Sequence, residues 1–293
     1  MKKINLNKIV LTFLISVSAL TANAQWAASV TTGSADYQVV FTETLTNPAS
    51  TYTETVDDRF FYRDLGFDYS FGPHQVGFKL GGLASSDDAL DSVDTSNANR
   101  TVTKKGGAER DEYSAFYTYR TDVGVALTVG YYSSSVDTDL TYTNDIPDLG
   151  TYTGNAAYNG LSLTANVSDL RTVDNDGFFF GAAYGRPLGE RTGVFARLGY
   201  QDSDVEETIS STGSATIAGQ VQDLSYPSSS YDFSGDAIVW GIGGYWAVTD
   251  SISLNFFYEV KDYSYSYDDN TATASYDLEE EQDLFGLTLR YSI

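Results

Sequence analysis

Apolar residues recur at every second position in several stretches of this chain. The stretches that begin at Val123 and Ile252 alternate in this way, and the end of the chain shows the same pattern in Phe285, Leu287, Leu289, Tyr291 and Ile293. Successive side chains of a β-strand leave opposite faces of the sheet, whereas a helix needs apolar spacings of three and four. The chain is therefore predicted to be all-β.

The connections between the predicted strands fall into two classes of length. Short turns are predicted near residues 72–75, 121–122, 188–191 and 249–250, and long polar segments at 41–56, 85–110, 136–176, 202–234 and 267–281. Short turns at one end and long loops at the other are typical of transmembrane β-barrels. The pattern predicts a closed antiparallel up-and-down transmembrane β-barrel with its long loops outside the cell.

The alternating stretches number ten, which places both ends of the barrel domain on the side of the short turns. The predicted strands are 26–40, 57–71, 75–83, 111–120, 123–135, 177–187, 192–200, 235–248, 251–265 and 283–293. Leu161, Leu163, Ala165 and Val167 also alternate, so a twelve-stranded barrel is the alternative. Only one such run precedes Gly177, and residues 155–176 are therefore predicted to be a loop or a strand extension.

The first 24 residues have the layout of a secretory signal peptide. Lys2, Lys3 and Lys8 form a basic start, residues 9–20 are mostly apolar, and Ala22-Asn23-Ala24 forms a small-x-small cleavage site. A transmembrane helix is the alternative, but it needs roughly 20 apolar residues. We expect export through the periplasm and a single barrel domain over residues 25–293.

Charge and cysteine content exclude several classes of protein. The net charge is −23, and loss of a leader with three lysines and no acidic residue would make it −26. Such a surface repels nucleic acid, so no nucleic-acid partner is expected. With no cysteine, the chain has no disulfide, no thiolate metal site and no lipid-modified N-terminal cysteine.

Small or polar residues alternate with the apolar ones and are expected to face the barrel interior. Eight charged residues share this inner parity: Asp64, Asp68, Lys79, Arg120, Arg197, Glu259, Lys261 and Arg290. Charges in a narrow lumen are costly unless they are paired, and a ten-stranded barrel is little wider than barrels that side chains fill. We predict a largely plugged polar lumen, with a narrow channel for small solutes as the alternative.

Aromatic residues are frequent at the turn-side ends of the predicted strands. These residues are Trp26, Tyr69, Phe71, Tyr119, Tyr184 and Trp246. Amphipathic rings favour the boundary between headgroups and acyl chains, so the pattern predicts a periplasmic aromatic girdle.

The last eleven residues resemble the terminal strand of the bacterial outer-membrane β-barrel family. Their apolar residues occupy alternate positions, at Phe285, Leu287, Leu289 and Tyr291, although Ile293 stands where that family usually ends in phenylalanine. The resemblance implies an outer-membrane location and recognition of this strand by the barrel-assembly machinery. The resemblance implies a fold and a cellular location but no activity.

An enzymatic function is not expected. Outer-membrane proteases resembling the omptins are also ten-stranded, but they use an Asp-His pair near the extracellular rim. The one histidine here, His74, lies in a predicted periplasmic turn, where we expect a solvated residue. With no cysteine, and with its one histidine in a periplasmic turn, the chain lacks the common nucleophile-base arrangements. A paired-carboxylate mechanism is the alternative, but nothing singles out a pair among the 40 acidic residues.

Acidic segments are the most distinctive feature of the predicted loops. They contain Asp87, Asp88, Asp91, Asp94, Asp202, Asp204, Glu206, Glu207, Asp268, Asp269, Asp277, Glu279, Glu280 and Glu281. None matches a calcium-loop spacing, so we expect no cofactor and no defined metal site, only diffuse Ca²⁺ or Mg²⁺ bridging to lipopolysaccharide. Tyr263, Tyr265 and Tyr267 suggest that the ninth strand continues above the bilayer as a contact surface.

These observations favour a structural or surface-interaction barrel. We expect a monomer whose acidic Tyr/Ser/Thr-rich extracellular loops make the functional contacts, and whose membrane partners are outer-membrane lipid and lipopolysaccharide.

Overall fold

The computed structural model describes residues 24–46, 49–84, 92–94, 99–217, 219–268 and 274–293. The predicted signal peptide lies outside the described residues except for Ala24, and so do Asp87, Asp88, Asp91 and Asp269. None of the helices in these ranges has the length and apolar character needed to cross a bilayer.

Twelve strands account for most of the described chain. They are β1 (Ala24–Thr46), β2 (Ala49–Phe71), β3 (His74–Ala84), β4 (Ser92–Asp94), β5 (Thr101–Arg120), β6 (Val125–Ile146), β7 (Leu163–Pro187), β8 (Thr192–Ile217), β9 (Gln220–Asp223), β10 (Tyr226–Ala247), β11 (Ile252–Asp268) and β12 (Ala274–Ser292). A short helix α1 (Leu149–Thr153) and a 3₁₀ turn (Ala156–Tyr158) connect β6 to β7.

Ten of these strands form a closed antiparallel ring in chain order. Strand β12 pairs with β1 from Ala27↔Ser292 to Leu45↔Ala274, and β10 pairs directly with β8. The short strands β4 and β9 pair with β5 and β8 and lie outside the ring. The predicted up-and-down barrel of about ten strands is confirmed, and the twelve-stranded alternative is wrong.

Much of what was predicted as long loop is strand. The segment 136–176 continues β6 to Ile146 and begins β7 at Leu163, and the segment 202–234 extends β8 to Ile217. Serine, threonine and aspartate occupy both faces there, so the apolar alternation that marked the strands disappears. Backbone pairing nevertheless continues, because threonine and tyrosine favour strands and each ladder satisfies its own amides. We call these continuations the hairpin extensions and the opposite end of the barrel the turn end.

The apolar parity faces outward. Large side chains on that face are about half exposed, including Phe67, Leu198, Trp240 and Ile242. A band of this kind is suited to hydrocarbon. It runs from Val194 to Tyr200 on β8 and from Ile238 to Trp246 on β10, and the nine residues on β10 match the roughly 9–11 that span a bilayer.

On the inner face, aromatic rings pack against glycines of neighbouring strands. In each case a Cβ on the glycine would overlap the ring: Gly77 with Phe116, Gly130 with Phe179, Gly243 with Phe195, and Gly286 with Phe257. The glycines therefore provide the space in which these rings pack along the wall instead of projecting into the lumen.

The connection between β6 and β7 is ordered by one carboxylate. Asp148 caps α1 and accepts hydrogen bonds from the backbone amides of Gly150 at 2.9 Å, Thr151 at 3.2 Å and Gly160 at 3.3 Å. Such side-chain caps satisfy amides that a helix start leaves unpaired.

Replacing Asp148 with alanine is expected to increase hydrogen exchange at Gly150 and Thr151 without unfolding the barrel. The Thr151 amide, helped by those of Gly160 and Gly150, holds the pKa of the Asp148 carboxyl below its ordinary value. Its stabilising effect is therefore present above the ordinary pKa and is lost as the pH falls through the lowered pKa. Asp148→Asn should keep the protection but remove its pH dependence, and unchanged exchange in Asp148→Ala would contradict the cap.

Candidate functional site

The eight charged residues predicted to line the lumen all lie on the inner face and border one cavity of about 530 Å³. They come from β2 (Asp64, Asp68), β3 (Lys79), β5 (Arg120), β8 (Arg197), β11 (Glu259, Lys261) and β12 (Arg290). The cavity occupies the part of the lumen between the turn end and a layer of buried side chains described below.

Two ion pairs cross between strands that are not neighbours. Arg290 Nη2 lies 2.7 Å from Asp68 Oδ1, and Arg197 pairs with Glu259. In each pair the strands are separated by one strand of the ring. These contacts satisfy charges that would otherwise be costly in a narrow interior.

A third pair spans the full width of the barrel. Lys261 Nζ on β11 lies 3.5 Å from Glu112 Oε2 on β5, and these strands stand five apart in the ring of ten. Sequence reasoning missed Glu112, although it has the same parity on its strand as Arg120.

Above this pair, Arg110 and Glu280 meet inside the barrel. Arg110 Nη1 donates to Glu280 Oε1 at 2.5 Å and its Nη2 donates to Ser134 Oγ at 3.3 Å. The Arg110 side chain is 4% exposed and that of Glu280 is 8% exposed. Arg110 also lies 3.7 Å from Glu112, so the two levels of charge are connected.

Two tyrosines of β11 project into the lumen at the same level. Tyr263 and Tyr265 are fully buried and stack on each other with ring centroids 5.7 Å apart. The Tyr265 hydroxyl accepts a hydrogen bond from Asn175 Nδ2 at 2.7 Å, and the Arg110 guanidinium lies 6.0 Å from the Tyr263 ring centroid. We call Arg110, Glu280, Tyr263 and Tyr265 the plug layer.

The structure corrects the predictions for Glu207, for Glu280 and for the two tyrosines of the plug layer. Glu207 and Glu280, predicted in solvated loops, face inward from strands, where Glu207 pairs with Arg171 and Glu280 with Arg110. Tyr263 and Tyr265, predicted as an external contact surface, are buried. The alternation of residues already indicated this, since all four residues continue the inward-facing positions of their strands. The predicted strands did not reach the two glutamates, and the segment with the two tyrosines was interpreted as exposed.

The predicted aromatic girdle residues all lie on the outer face near the turn end. Trp26 packs on Tyr69 with centroids 4.7 Å apart, and Tyr69 packs on Phe71 at 5.8 Å. Tyr119, Tyr184 and Trp246 are each 40% or more exposed.

His74, predicted as a solvated turn residue, directly follows the turn, is partly exposed and belongs to the same aromatic cluster. It begins β3, stacks on Phe71 at 5.1 Å, and its Nδ1 lies 2.7 Å from the Tyr117 hydroxyl. Facing outward at the turn end, it lies on the opposite side of the plug layer from the hairpin extensions.

The predicted assembly-signal residues run along the outer face of β12, with Ile293 just beyond it. Phe285, Leu289 and Tyr291 are half exposed or more, and the Ile293 amide donates to the Trp26 carbonyl at 2.7 Å. The strand that resembles an assembly signal is therefore also the one that closes the ring against β1.

Just above the apolar band, outward-facing aspartates occur on seven strands of the ring. This acidic collar consists of Asp36, Asp111, Asp176, Asp202, Asp236, Asp262 and Asp283. Asp36 stands directly opposite Asp283, and Asp202 directly opposite Asp236. Within the described ranges, no group of three or more His, Cys, Asp or Glu side chains is arranged to hold a metal ion.

Comparisons with known proteins give structural matches only. No family profile matches the chain, and no curated protein is significantly similar in sequence. The outer-membrane protease OmpT of Escherichia coli is similar in structure, with 10% identity, a TM-score of 0.54, and coverage of 92% of this chain and 97% of OmpT.

Two further matches have lower TM-scores. The toluene transporter TodX of Pseudomonas putida is 12% identical, with a TM-score of 0.37 and coverage of 95% of this chain and 92% of TodX. The translocator domain of the autotransporter NalP from Neisseria meningitidis is 9% identical, with a TM-score of 0.38 and coverage of 96% and 94%. Together with the strand ring described above, the match to OmpT shows that this chain has the closed antiparallel β-barrel fold of bacterial outer-membrane proteins.

Proposed function

We propose that this protein is a monomeric outer-membrane barrel, closed to solutes by its plug layer, that acts at the cell surface through its hairpin extensions. The fold and the outward apolar band support the location. Among the described residues, the closed ring leaves no strand edge through which a second copy could extend the sheet.

The length of the hairpin extensions is the observation that carries this proposal. Strand β8 leaves the apolar band near Tyr200 and continues to Ile217, paired with β7 along the way. At about 3.3 Å per residue, this continuation extends on the order of 50 Å along the strand beyond the band. A barrel that only had to span the membrane would not need it.

The chemistry of the extensions fits contact with polar surfaces. Beyond the acidic collar, β8 presents Asp204 and Glu206 outward, and β12 presents Asp277, Glu279 and Glu281. Like charges that face each other across strands destabilise a sheet, so the Asp202–Asp236 pair favours a shell of Ca²⁺ or Mg²⁺. Such a shell would bridge the collar to the phosphates of lipopolysaccharide.

A non-enzymatic role is part of the proposal. A histidine-based mechanism at the extracellular rim has no histidine to use, because His74 is the one histidine in the sequence and lies at the turn end.

Shortening one hairpin extension is expected to reduce surface attachment while leaving the barrel folded. Thr138 pairs with Arg171, so joining these two residues through an Asn-Gly turn removes the outer part of the β6–β7 hairpin at a matched level and keeps the Arg171–Glu207 pair. Cells that display the shortened barrel should attach to a surface about tenfold less than cells that display the full chain, a change equivalent to about 1.4 kcal/mol.

An insertion of similar length in the turn at residues 188–191 is the matched control, and heat-modifiable gel mobility checks folding of both variants. Unchanged attachment by the shortened, folded barrel would refute the surface role.

A narrow channel for small solutes is the second candidate, and the 530 Å³ cavity favours it. The two candidates differ in electrolyte conductance, which the plug layer should prevent.

A further inference from the structure

The charges around the lumen cavity do not cancel. Three of its acidic residues are paired: Asp68 with Arg290, Glu259 with Arg197, and Glu112 with Lys261. Two cations, Lys79 and Arg120, have no carboxylate within 4 Å among the described residues, and both side chains are exposed. Arg120 donates instead to Gln75 Oε1 at 2.5 Å.

One acidic residue of the lining remains. Asp64 is 5% exposed and accepts a hydrogen bond from the Tyr62 hydroxyl at 2.8 Å. The lining therefore carries five cations against four carboxylates, a net charge of +1, whereas the whole chain carries −23. An anion in the cavity would meet two accessible donors that no protein carboxylate occupies.

Part of the wall formed by β7 and β8, beside Arg197, carries no side chain. Gly199 of β8 pairs with Gly181 of β7, and β7 stands two strands from β5 in the ring. A Cβ on Gly181 would have only wall backbone near it, with the Leu198 carbonyl oxygen at 3.5 Å. Phe195 and Val239 border the same space.

We propose that this cavity binds a small organic monocarboxylate with an apolar body, entering from the turn end. The carboxylate pairs with Lys79 or Arg120, and the apolar body lies against the glycine wall. The cavity volume is within the range of small-molecule sites. This inference goes beyond the surface role and does not depend on it, since the plug layer closes the other end of the cavity.

The test is isothermal titration of the full barrel in lipid nanodiscs, with empty nanodiscs subtracting partition into lipid. Benzoate is the probe, benzylamine has a similar body with the opposite charge, and acetate lacks the body. Benzoate is expected to bind saturably, at least about tenfold more tightly than acetate, and benzylamine should show no saturable binding.

Three variants locate the site. Lys79→Gln with Arg120→Gln should weaken benzoate binding by about tenfold or more, whereas Lys105→Gln, an exposed outward lysine of β5, should not change it. Gly181→Val fills the bare wall without altering charge, so it should weaken benzoate binding towards that of acetate and leave acetate binding unchanged.

Each alternative outcome overturns the proposal. Absence of saturable benzoate binding to the folded wild type refutes the site, and equal binding of benzoate and benzylamine refutes the role of the cations. If the double variant binds benzoate with the same affinity as Lys105→Gln, then benzoate does not bind at Lys79 and Arg120, and the proposed site is refuted.

Discussion

Replacing Arg110 with methionine is expected to destabilise the folded barrel by about 3–5 kcal/mol, because it leaves a buried carboxylate without its cation. Glu280 is 8% exposed, and Arg110 is its ion-pair partner at 2.5 Å across the lumen. Urea unfolding in lipid vesicles, followed by tryptophan fluorescence, would measure the loss as a lower midpoint at unchanged slope.

Two further variants show whether burial is the cause. Arg110→Met combined with Glu280→Gln removes both charges and should recover most of the lost stability. Arg59→Met breaks the Arg59–Asp36 pair on the outer face, whose side chains are 73% and 55% exposed, and should change stability little. If Arg110→Met and Arg59→Met shift the midpoint equally, the plug layer does not stabilise the barrel as described.

Removing the two plug tyrosines is expected to convert a silent barrel into a conducting one. Tyr263 and Tyr265 are fully buried and meet Arg110 and Asn175 across the lumen. Tyr263→Ala with Tyr265→Ala would connect the cavity to the hairpin extensions. In planar bilayers the wild type should give no steady single-channel steps, and the double variant should give them.

Tyr184→Ala with Tyr200→Ala is the matched control, since it removes two half-exposed tyrosines from the outer face. This variant should stay silent. Steady steps from the wild type would exclude the closed barrel and favour the channel, and silence of the folded plug variant would show that other side chains close the lumen.

Parity along single strands was sufficient to predict much of this molecule. It assigns Arg197 and Glu259 to the inner face and Leu198 and Phe256 to the outer face. The assignment succeeds because the outer face contacts hydrocarbon, so apolar outer residues differ clearly from polar inner ones. It does not predict that Lys261 meets Glu112, since that contact depends on the stagger and curvature of a ring in which the two strands are not neighbours.

The prediction failed where the contrast between the faces fades. Beyond the apolar band both faces are polar, so the periodicity does not distinguish strand from loop, and the segments that contain Glu207 and Glu280 were predicted as loops. The contacts of His74 were not predictable for a different reason, since its hydrogen-bond partner Tyr117 lies 43 residues away in the sequence, on another strand.

The packing of aromatic rings against glycines determines how the width of the lumen can differ between related barrels. Phe179 and Phe195 stay against the wall because Gly130 and Gly243 lack a side chain. Alanine at either glycine would collide with the ring and with a backbone carbonyl of the wall, so both would have to shift and the cavity would change shape without any change in its lining charges. Relatives that keep every charged residue but differ at these glycines would therefore differ in bore, and the glycines are the positions at which to look for that divergence.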